Sequence, residues 1–357
     1  MKRFLLSGYY GYGNAGDEAV LAGLIAGFRA AASADNLEIT ALSGNVNETR
    51  KAHGIGAVDR YRPTLLLPAI ARCDVFLSGG GSLLQDVSSA HSIFYYLGIV
   101  KMAQMLGKKT MFIAQGIGPL NLPRSRKLVA AVANKLDAVT VRDPASAQLL
   151  REIGVTRPPI EITADPALLL SAPGVPRSGN SFGVALRPWH GQDNLGAQVA
   201  AACINSLGGQ KPLLLPMQDA SDRPLAEQFS EGWLGQPSAA TLCSTTDGLN
   251  PLLSIIAGCD MMVGMRLHAL ILAAAAGVPS VALSYDPKVA AFMQASGQSD
   301  AVYDLNTPDF NALQALLTRV WTERAARAAA LQAALPSLRA KAGRNIDVAL
   351  SLVKTRP

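Results

Sequence analysis

Short apolar runs alternate with longer amphipathic stretches along the first half of the chain. KRFLLSG leads into GYGNAGDE and then AVLAGLIAGFRAA; LEITALSG precedes NVNETRKAHG; CDVFLS precedes GGGSLLQD; KKTMFIAQ precedes GIGPL; AVTV precedes RDPASAQLLREIG. Strands and helices of these lengths in strict alternation predict a parallel sheet with helices on both faces. The strand runs are almost continuously Val, Ile, Leu and Phe, as burial on both faces requires.

The rhythm stops at SAPGVPRSGNS, residues 171–181, which is poor in apolar residues and carries two prolines, and reads as a linker. It resumes with FGVALRPW, KPLLLPMQD, AATLCS, CDMMVGM and PSVALS as strands, separated by helical stretches such as AQVAAACINSL and ALILAAAAG. From about Pro308 to Val353 the chain is rich in Ala and Leu and is expected to form two helices broken near Pro336. The predicted fold class is therefore α/β: two doubly wound, Rossmann-like domains facing a cleft, with C-terminal helices. The expected boundaries are residues 1–172, a linker at 173–181, a second domain at 182–307 and the helices at 308–357.

Composition agrees with a well-packed globule of about two domains, since 49% of the 357 residues are apolar and only 16% charged. The longest greasy run, Ala269 to Leu283, is interrupted by Gly277 and Pro279 and falls short of the roughly 20 apolar residues of a membrane span. The opening MKRFLLSGYYGYG has only a three-residue apolar run and reads as a first strand rather than a signal peptide, so a cytoplasmic location is expected. Cys73, Cys203, Cys243 and Cys259 stand far apart without a CxxC pair, which points to reduced thiols and away from structural zinc. The net charge of +6 favours anionic partners: phosphates, acidic glycans or a negatively charged membrane face. Basic residues are scattered and aromatics are 6%, a pattern that does not suit nucleic acid.

Ligands of open parallel sheets bind beyond the carboxyl ends of the strands, so the residues that follow strands carry the chemistry. GYGNAG, residues 11–16, matches GxGxxG, but ITALSGN supplies no acid at the end of the second strand for a ribose, which weighs against the nicotinamide reading. Its glycines still let backbone amides approach an anion; Asn14 is a loop candidate, and Asp17 is either a helix cap or a contact residue. SGGGSLLQD, residues 78–86, and QGIGP, residues 115–119, read as two further strand-to-helix glycine loops. Gly79, Gly80 and Gly81 form either a tight turn or a close approach by a ligand or another chain segment. Gln85, Asp86 and Gln115 are candidates on the same edge, as are Arg187 and Trp189 in the RPW that follows a later strand.

Arg142 precedes Asp143 and Pro144, which suit an N-cap and a first turn, and it either projects toward the cleft or makes a surface salt bridge. In GMRLHALILAAAAGVP, residues 264–279, a helix is expected to begin near Ala269. Arg266 and His268 point together if RLH is still extended. A helix N-terminus beside them attracts anions; the alternative is a structural histidine. Lys288 in SYDPKV falls in a first turn, where a cation opposes the helix dipole unless an anion compensates. Of the other histidines, His190 could join the same edge, His91 lies near a helix start and His53 reads as exposed. No pair has metal-ligand spacing, so no metal is expected, and no GxSxG elbow is present.

Taken together, GYYGYGNAGDEAVL, SGGGSLLQD, QGIGPL, VTVRD, TADPA, GMRLHALILAAAAGVP and SYDPKV closely resemble the bacterial polysaccharide pyruvyl transferases, specifically the CsaB type. The resemblance implies a glycosyltransferase-B-like fold with the acceptor on the N-terminal and the donor on the C-terminal domain. It implies phosphoenolpyruvate as co-substrate, with no resident cofactor. The implied acceptor is a β-linked N-acetylmannosamine on a lipid-pyrophosphate precursor, reached by peripheral contact with the inner membrane surface. The implied product is a 4,6-pyruvate ketal that anchors surface-layer proteins. The donor-binding and catalytic positions implied are Arg142, Arg266, His268 and Lys288. Two other readings share the domain plan: a nucleotide-sugar glycosyltransferase or epimerase, and a glycan- or phosphate-binding protein without turnover.

Overall fold

Leu5, Phe76, Phe112 and Val139 are buried in one apolar cluster, while their strand neighbours Phe4, Leu6, Val75, Leu77, Met111, Ile113 and Ala138 are buried in another. Successive side chains of a strand point to opposite faces, so the continuous apolar runs feed two cores, one on each side of a single sheet. The computed structural model describes residues 1–31, 36–87, 90–189, 193–245 and 247–353, with the side chains of 90 and 91 outside the description.

Contacts divide the chain into two units: unit 1 comprises Met1–Tyr12, Asp17–Leu169 and Arg339–Pro357, and unit 2 comprises Gly13–Gly16 and Leu170–Leu338. Unit 1 runs β1 (Lys2–Tyr10), α1 (Ala15–Ala31), β2 (Leu37–Ser43), α2 (Val46–His53), β3 (Gly56–Asp59), α3 (Pro63–Arg72), β4 (Val75–Leu84), α4 (Ala90–Met105), β5 (Lys109–Ile117), α5 (Pro123–Ala133), β6 (Ala138–Val141), α6 (Pro144–Glu152) and β7 (Ile160–Ile162). Its seven-stranded sheet has the order β3-β2-β1-β4-β5-β6-β7.

Unit 2 runs β8 (Ser181–Ala185), α7 (Leu195–Leu207), β9 (Lys211–Leu214), α8 (Asp219–Gly232), β10 (Thr241–Leu242), α9 (Leu249–Gly258), β11 (Met261–Gly264), α10 (Leu267–Ala275), β12 (Ser280–Ser284), α11 (Pro287–Ala295), β13 (Val302–Asp304) and α12 (Phe310–Thr322), followed by α13 (Arg324–Ser351). Its sheet has the order β10-β9-β8-β11-β12-β13. All pairings in both sheets are parallel. Both are doubly wound, Rossmann-like sheets, and the strand order reverses at β1/β4 in one and β8/β11 in the other, the points at which such folds hold ligands.

Three expectations need correction. Gly79–Gly81 and Gln115–Ile117 lie within β4 and β5 rather than in loops after them. The three glycines have φ of +146°, +72° and +137°, and Cβ atoms there would meet the Ile113 carbonyl at 2.2 Å, Val20 at 2.3 Å and Asp17 Oδ1 at 2.9 Å. Neighbouring chain segments, not a turn, demand them. Strands β3 and β7 were not anticipated, because GAVD and IEI are too short to stand out. Lastly, the helix break falls at Glu323, and Pro336 lies inside α13. Burial of Leu331, Leu335, Leu338 and Ala342 supplies packing that overrides the proline's local penalty.

The same helix divides between the units, its last turns from Arg339 belonging to unit 1. There the fully buried Asn345 accepts hydrogen bonds from the Thr140 hydroxyl at 2.7 Å and the Thr163 hydroxyl at 2.8 Å, and donates to the carbonyls of Ala164 and Ala342 at 2.9 Å each. Among the described residues no helix is long and apolar enough to cross a membrane.

Candidate functional site

In unit 2 three adjacent strands, β8, β11 and β12, are followed by candidate residues singled out from the sequence. Helix α10 begins at Leu267, two residues earlier than expected, with Arg266 as its extended N-cap (φ −71°, ψ 118°) and His268 in the first turn. The RLH segment is therefore extended only at Arg266. The Arg266 guanidinium grips Asp222: Nε donates to Oδ2 at 2.9 Å, and Nη2 donates to Oδ1 and to Ser221 Oγ, the latter at 3.1 Å. Asp222 is buried in the first turn of α8 and also accepts the Gln218 amide at 3.0 Å. Fork-shaped pairing of this kind fixes the arginine's plane. Among the described residues Nη1 has no partner, which leaves a donor for an anion.

His268 is half-buried. Within unit 2, to which Gly13–Gly16 belong, it lies against the backbone of Gly16, where a Cβ would stand 2.3 Å from the imidazole Nδ1. Asn14 forms an isolated bridge with Gln218, and the Ala15 amide donates to the Met217 carbonyl at 2.9 Å. Asn14 thus holds a loop in place beside the segment that carries Asp222.

Lys288 opens α11, its amide donating to the cap Asp286 at 2.8 Å, with Pro287 at the first helical position. Just before them, Tyr285 accepts a hydrogen bond from Arg187 Nη1 at 2.8 Å, with the guanidinium carbon 5.0 Å from the ring centre. The Trp189 ring centre lies 4.6 Å from that of Tyr285. Arg187 and Trp189 are thereby joined to the strand end that carries Lys288. Tyr285 was not singled out from sequence, although its place between a strand and an Asp-Pro cap was a signal. His190 lies outside the described residues, as does the side chain of His91.

In unit 1, Asp143 caps α6 as expected, accepting the Ser146 amide at 2.7 Å. Arg142 neither projects freely nor pairs at the surface. Its Nη1 lies 2.6 Å from Asp165 Oδ2, with side-chain exposures of 6% and 3%, and Nη2 donates to Ser82 Oγ at 2.9 Å. Both arginine partners, Asp165 and Asp222, were missed. Asp165 stands in TADPA, a strand-following Asp-Pro like that after Arg142, which was a usable signal; Asp222 sits in a helix and gave none.

The remaining candidates are structural in their described contacts. Asp86 accepts the Asn121 and Leu122 amides at 2.8 Å each. Burial pushes its carboxyl up, but those bonds and the Ser125 hydroxyl outweigh it and hold it below the ordinary carboxylate range. Gln85 accepts the Val87 amide at 2.8 Å. Asp17 lies in the first turn of α1 rather than at its cap. Gln115 is fully buried, and its side-chain amide has no hydrogen-bond partner among the described residues. The side chain of His53, expected at the surface, is 5% exposed and paired with Glu18. Cys73, Cys203 and Cys259 are buried free thiols and Cys243 is half-buried, burial raising each above its ordinary value. No group of three His, Cys, Asp or Glu side chains that could hold a metal occurs among the described residues.

Comparison with solved structures gives the fold. A putative UDP-N-acetylglucosamine 2-epimerase from Listeria monocytogenes matches with a TM-score of 0.65 at 12% identity, over 98% of this chain and 96% of that one. Anabaena Alr3699/HepE in complex with UDP matches with a TM-score of 0.63 at 13% identity, over 98% of this chain and all of the other (100%). The amylovoran biosynthesis protein AmsJ of Erwinia amylovora is 20% identical over 268 residues, 66% of this chain and 62% of that protein's length. The polysaccharide pyruvyl transferase family model matches residues 14–287, a span that contains Arg142, Arg266 and His268 and ends one residue short of Lys288. The chain belongs to the polysaccharide pyruvyl transferase family.

Proposed function

We propose that the chain is a transferase acting on a nucleotide- or lipid-linked sugar, and that its reaction is pyruvyl transfer from phosphoenolpyruvate. The observation that carries this reading is the placement of Arg266, His268 and Lys288 at two helix starts behind the neighbouring strands β11 and β12, in a chain of that family. Phosphoenolpyruvate carries a carboxylate and a phosphate on three carbons, so fixed cations and helix N-termini suit it. The Nη1 donor of Arg266 and the Lys288 ammonium bind it, and the family resemblance assigns the same task to Arg142.

The methylene carbon takes a proton, one sugar hydroxyl adds to the central carbon, phosphate departs, and the neighbouring hydroxyl closes the ketal. Of the two protons the hydroxyls give up, one balances that taken by the methylene carbon and the other leaves on phosphate. His268 shuttles these protons, a contribution of about 10²–10⁴-fold, while the cations offset charge on the departing phosphate. No resident cofactor is needed. The acceptor in this reading is the CsaB-type one, a β-linked N-acetylmannosamine of a lipid-pyrophosphate precursor, modified at the cytoplasmic membrane face for surface-layer anchoring.

A second reading, a nucleotide-sugar glycosyltransferase or epimerase, draws support from the UDP-bound Anabaena structure. The pairing of Arg266 with Asp222 and of Arg142 with Asp165 also favours it, because both neutralise cations that a trianionic donor would use. Incubation with phosphoenolpyruvate and a synthetic lipid-linked acceptor, followed by mass spectrometry, decides between them. A pyruvyl ketal establishes the first reading. A thermal shift with UDP but not phosphoenolpyruvate, and no adduct, establishes the second. Glycan binding with neither donor effect nor adduct would make the chain a binding protein.

A further inference from the structure

Tyr9 and Tyr12 of YYGYG, both in unit 1, are absorbed by none of the chemistry above, and they lie at the carboxyl edge of the sheet. Tyr9 and Tyr12 stack with ring centres 4.4 Å apart and planes inclined by 17°. The Tyr12 hydroxyl meets that of Tyr61, which follows β3, at 2.6 Å. Beneath them Arg60, only 3% exposed, places its guanidinium carbon 5.6 Å from the centre of the Tyr12 ring, 5.8 Å from Tyr61 and 4.7 Å from Tyr95. Its Nη1 donates to the Gly8 carbonyl at 2.7 Å and its Nε to the Tyr95 hydroxyl at 3.0 Å. Gly44 leaves room for the Tyr12 ring, since a Cβ there would stand 2.5 Å from Cζ. The rings are thus held rigid from below, yet Tyr61 is 65% and Tyr9 37% exposed.

Rings fixed on one face and open on the other present a rigid apolar surface to a ligand. We propose that Tyr9, Tyr12 and Tyr61 form a platform for a pyranose ring of the acceptor glycan. The C–H face of a sugar packs on an aromatic face, and phenol hydroxyls meet its hydroxyl rim; the amphipathic tyrosine supplies both. The Tyr9 hydroxyl has no partner among the described residues and is open to such a bond. The charge pattern favours a neutral sugar over a lipid surface. Arg60 is sealed beneath the rings, and the exposed Arg62 next to Tyr61 is paired with Asp59 at 3.3 Å, whereas surface-binding segments present unpaired cations. The platform rests on the reading of the chain as a glycan-modifying enzyme and adds where the glycan is gripped.

The probe is a synthetic disaccharide ending in β-N-acetylmannosamine, observed by saturation-transfer NMR without donor, so that binding is read independently of turnover. The expected result is saturation on one face of a sugar ring for the wild-type protein and for Tyr61→Phe, lost in Tyr61→Ala and Tyr12→Ala. In the coupled assay the same alanine variants raise the acceptor KM by about tenfold and leave the phosphoenolpyruvate KM unchanged. Disaccharide binding without any pyruvyl product supports the platform while overturning pyruvyl transfer. Pyruvyl product with an unchanged acceptor KM in both folded alanine variants overturns the platform alone. Loss of binding to anionic vesicles in Tyr61→Ala, with disaccharide binding intact, assigns the rings to a membrane and overturns it as well.

Discussion

His53 and Glu18 form a part-buried pair, with Nε2 2.7 Å from Oε2, and the other oxygen of Glu18 accepts the Gly11 amide at 2.7 Å. A histidine at the end of α2 thereby holds, through one carboxylate, the first glycine of the loop beside Tyr12. Arg29 locks the other side by donating to the carbonyls of His53 and Gly54 at 3.2 and 3.1 Å. Glu18→Ala removes the acceptor from a partly buried amide and is expected to cost about 1–3 kcal/mol in urea unfolding. His53→Ala should weaken the same pair less, because Glu18 keeps the amide. If hydrogen exchange at Gly11 is as slow in Glu18→Ala as in the wild type, the loop does not depend on this carboxylate.

Arg266 and Asp222 separate structure from chemistry. Asp222→Ala strands a guanidinium in a largely buried site, and such breakage is expected to cost about 3–5 kcal/mol. Replacing both, Arg266→Met with Asp222→Leu, should recover much of that stability while raising the phosphoenolpyruvate KM, because no cation is left at the cap. Arg266→Lys keeps the charge but cannot form the fork and spare a donor at once, so it should raise the donor KM less than the double variant. A double variant with wild-type donor KM would show that Arg266 is a brace and nothing more.

The strand-and-helix rhythm was legible because parallel strands buried on both faces are written as unbroken apolar runs, as in KRFLLSG and KKTMFIAQ. Glycine loops were not, because Gly79–Gly81 continue a strand under pressure from Val20 and the Ile113 carbonyl, contacts made over long sequence separations. The candidate residues were singled out by their position after strands. Their partners were not, since nothing local ties Arg142 to Asp165 or Arg266 to Asp222. His53 misled for the same reason: its neighbours in sequence are polar, but its partner is on α1. The extent of α13 was misjudged because proline's local cost is visible in sequence and the packing that offsets it is not.

Asn345 gives that helix a measurable anchor. All four of its hydrogen bonds are made in the interior of unit 1, and one partner, Thr140, also accepts the amide of Ala114 at 2.9 Å. Ala114 has φ of +45°, an uncommon conformation for alanine, and the hydroxyl supports it. Asn345→Ala removes the acceptor of two threonine hydroxyls and the donor to the Ala164 and Ala342 carbonyls and is expected to destabilise by about 1–3 kcal/mol. Asn345→Asp keeps the acceptor and loses the donors, so it should fall below the wild type at neutral pH. Equal urea midpoints for all three proteins would mean that the helix end is not anchored here.

His268 and Gly16 make the sharpest test of the proton shuttle. His268→Ala should keep its circular dichroism and lose pyruvyl transfer by about 10²–10⁴-fold, read as phosphate release. Gly16→Ala leaves the imidazole in place chemically but not spatially, because the clash involves Nδ1, Cγ and Cβ of His268 at 2.3, 2.7 and 2.9 Å rather than the far end of a flexible chain. A displacement of that size at a reacting group is expected to cost about 10²-fold in kcat. In a helix, alanine is otherwise the better residue by about 0.5–1 kcal/mol, so lost activity would not reflect a weakened α1. If Gly16→Ala acts through the imidazole, its effect disappears in the His268→Ala background, since residues acting as one unit are not additive. Two losses that multiply in the double variant would show that Gly16 and His268 serve separate steps, and a fully active Gly16→Ala would remove the requirement for a fixed imidazole.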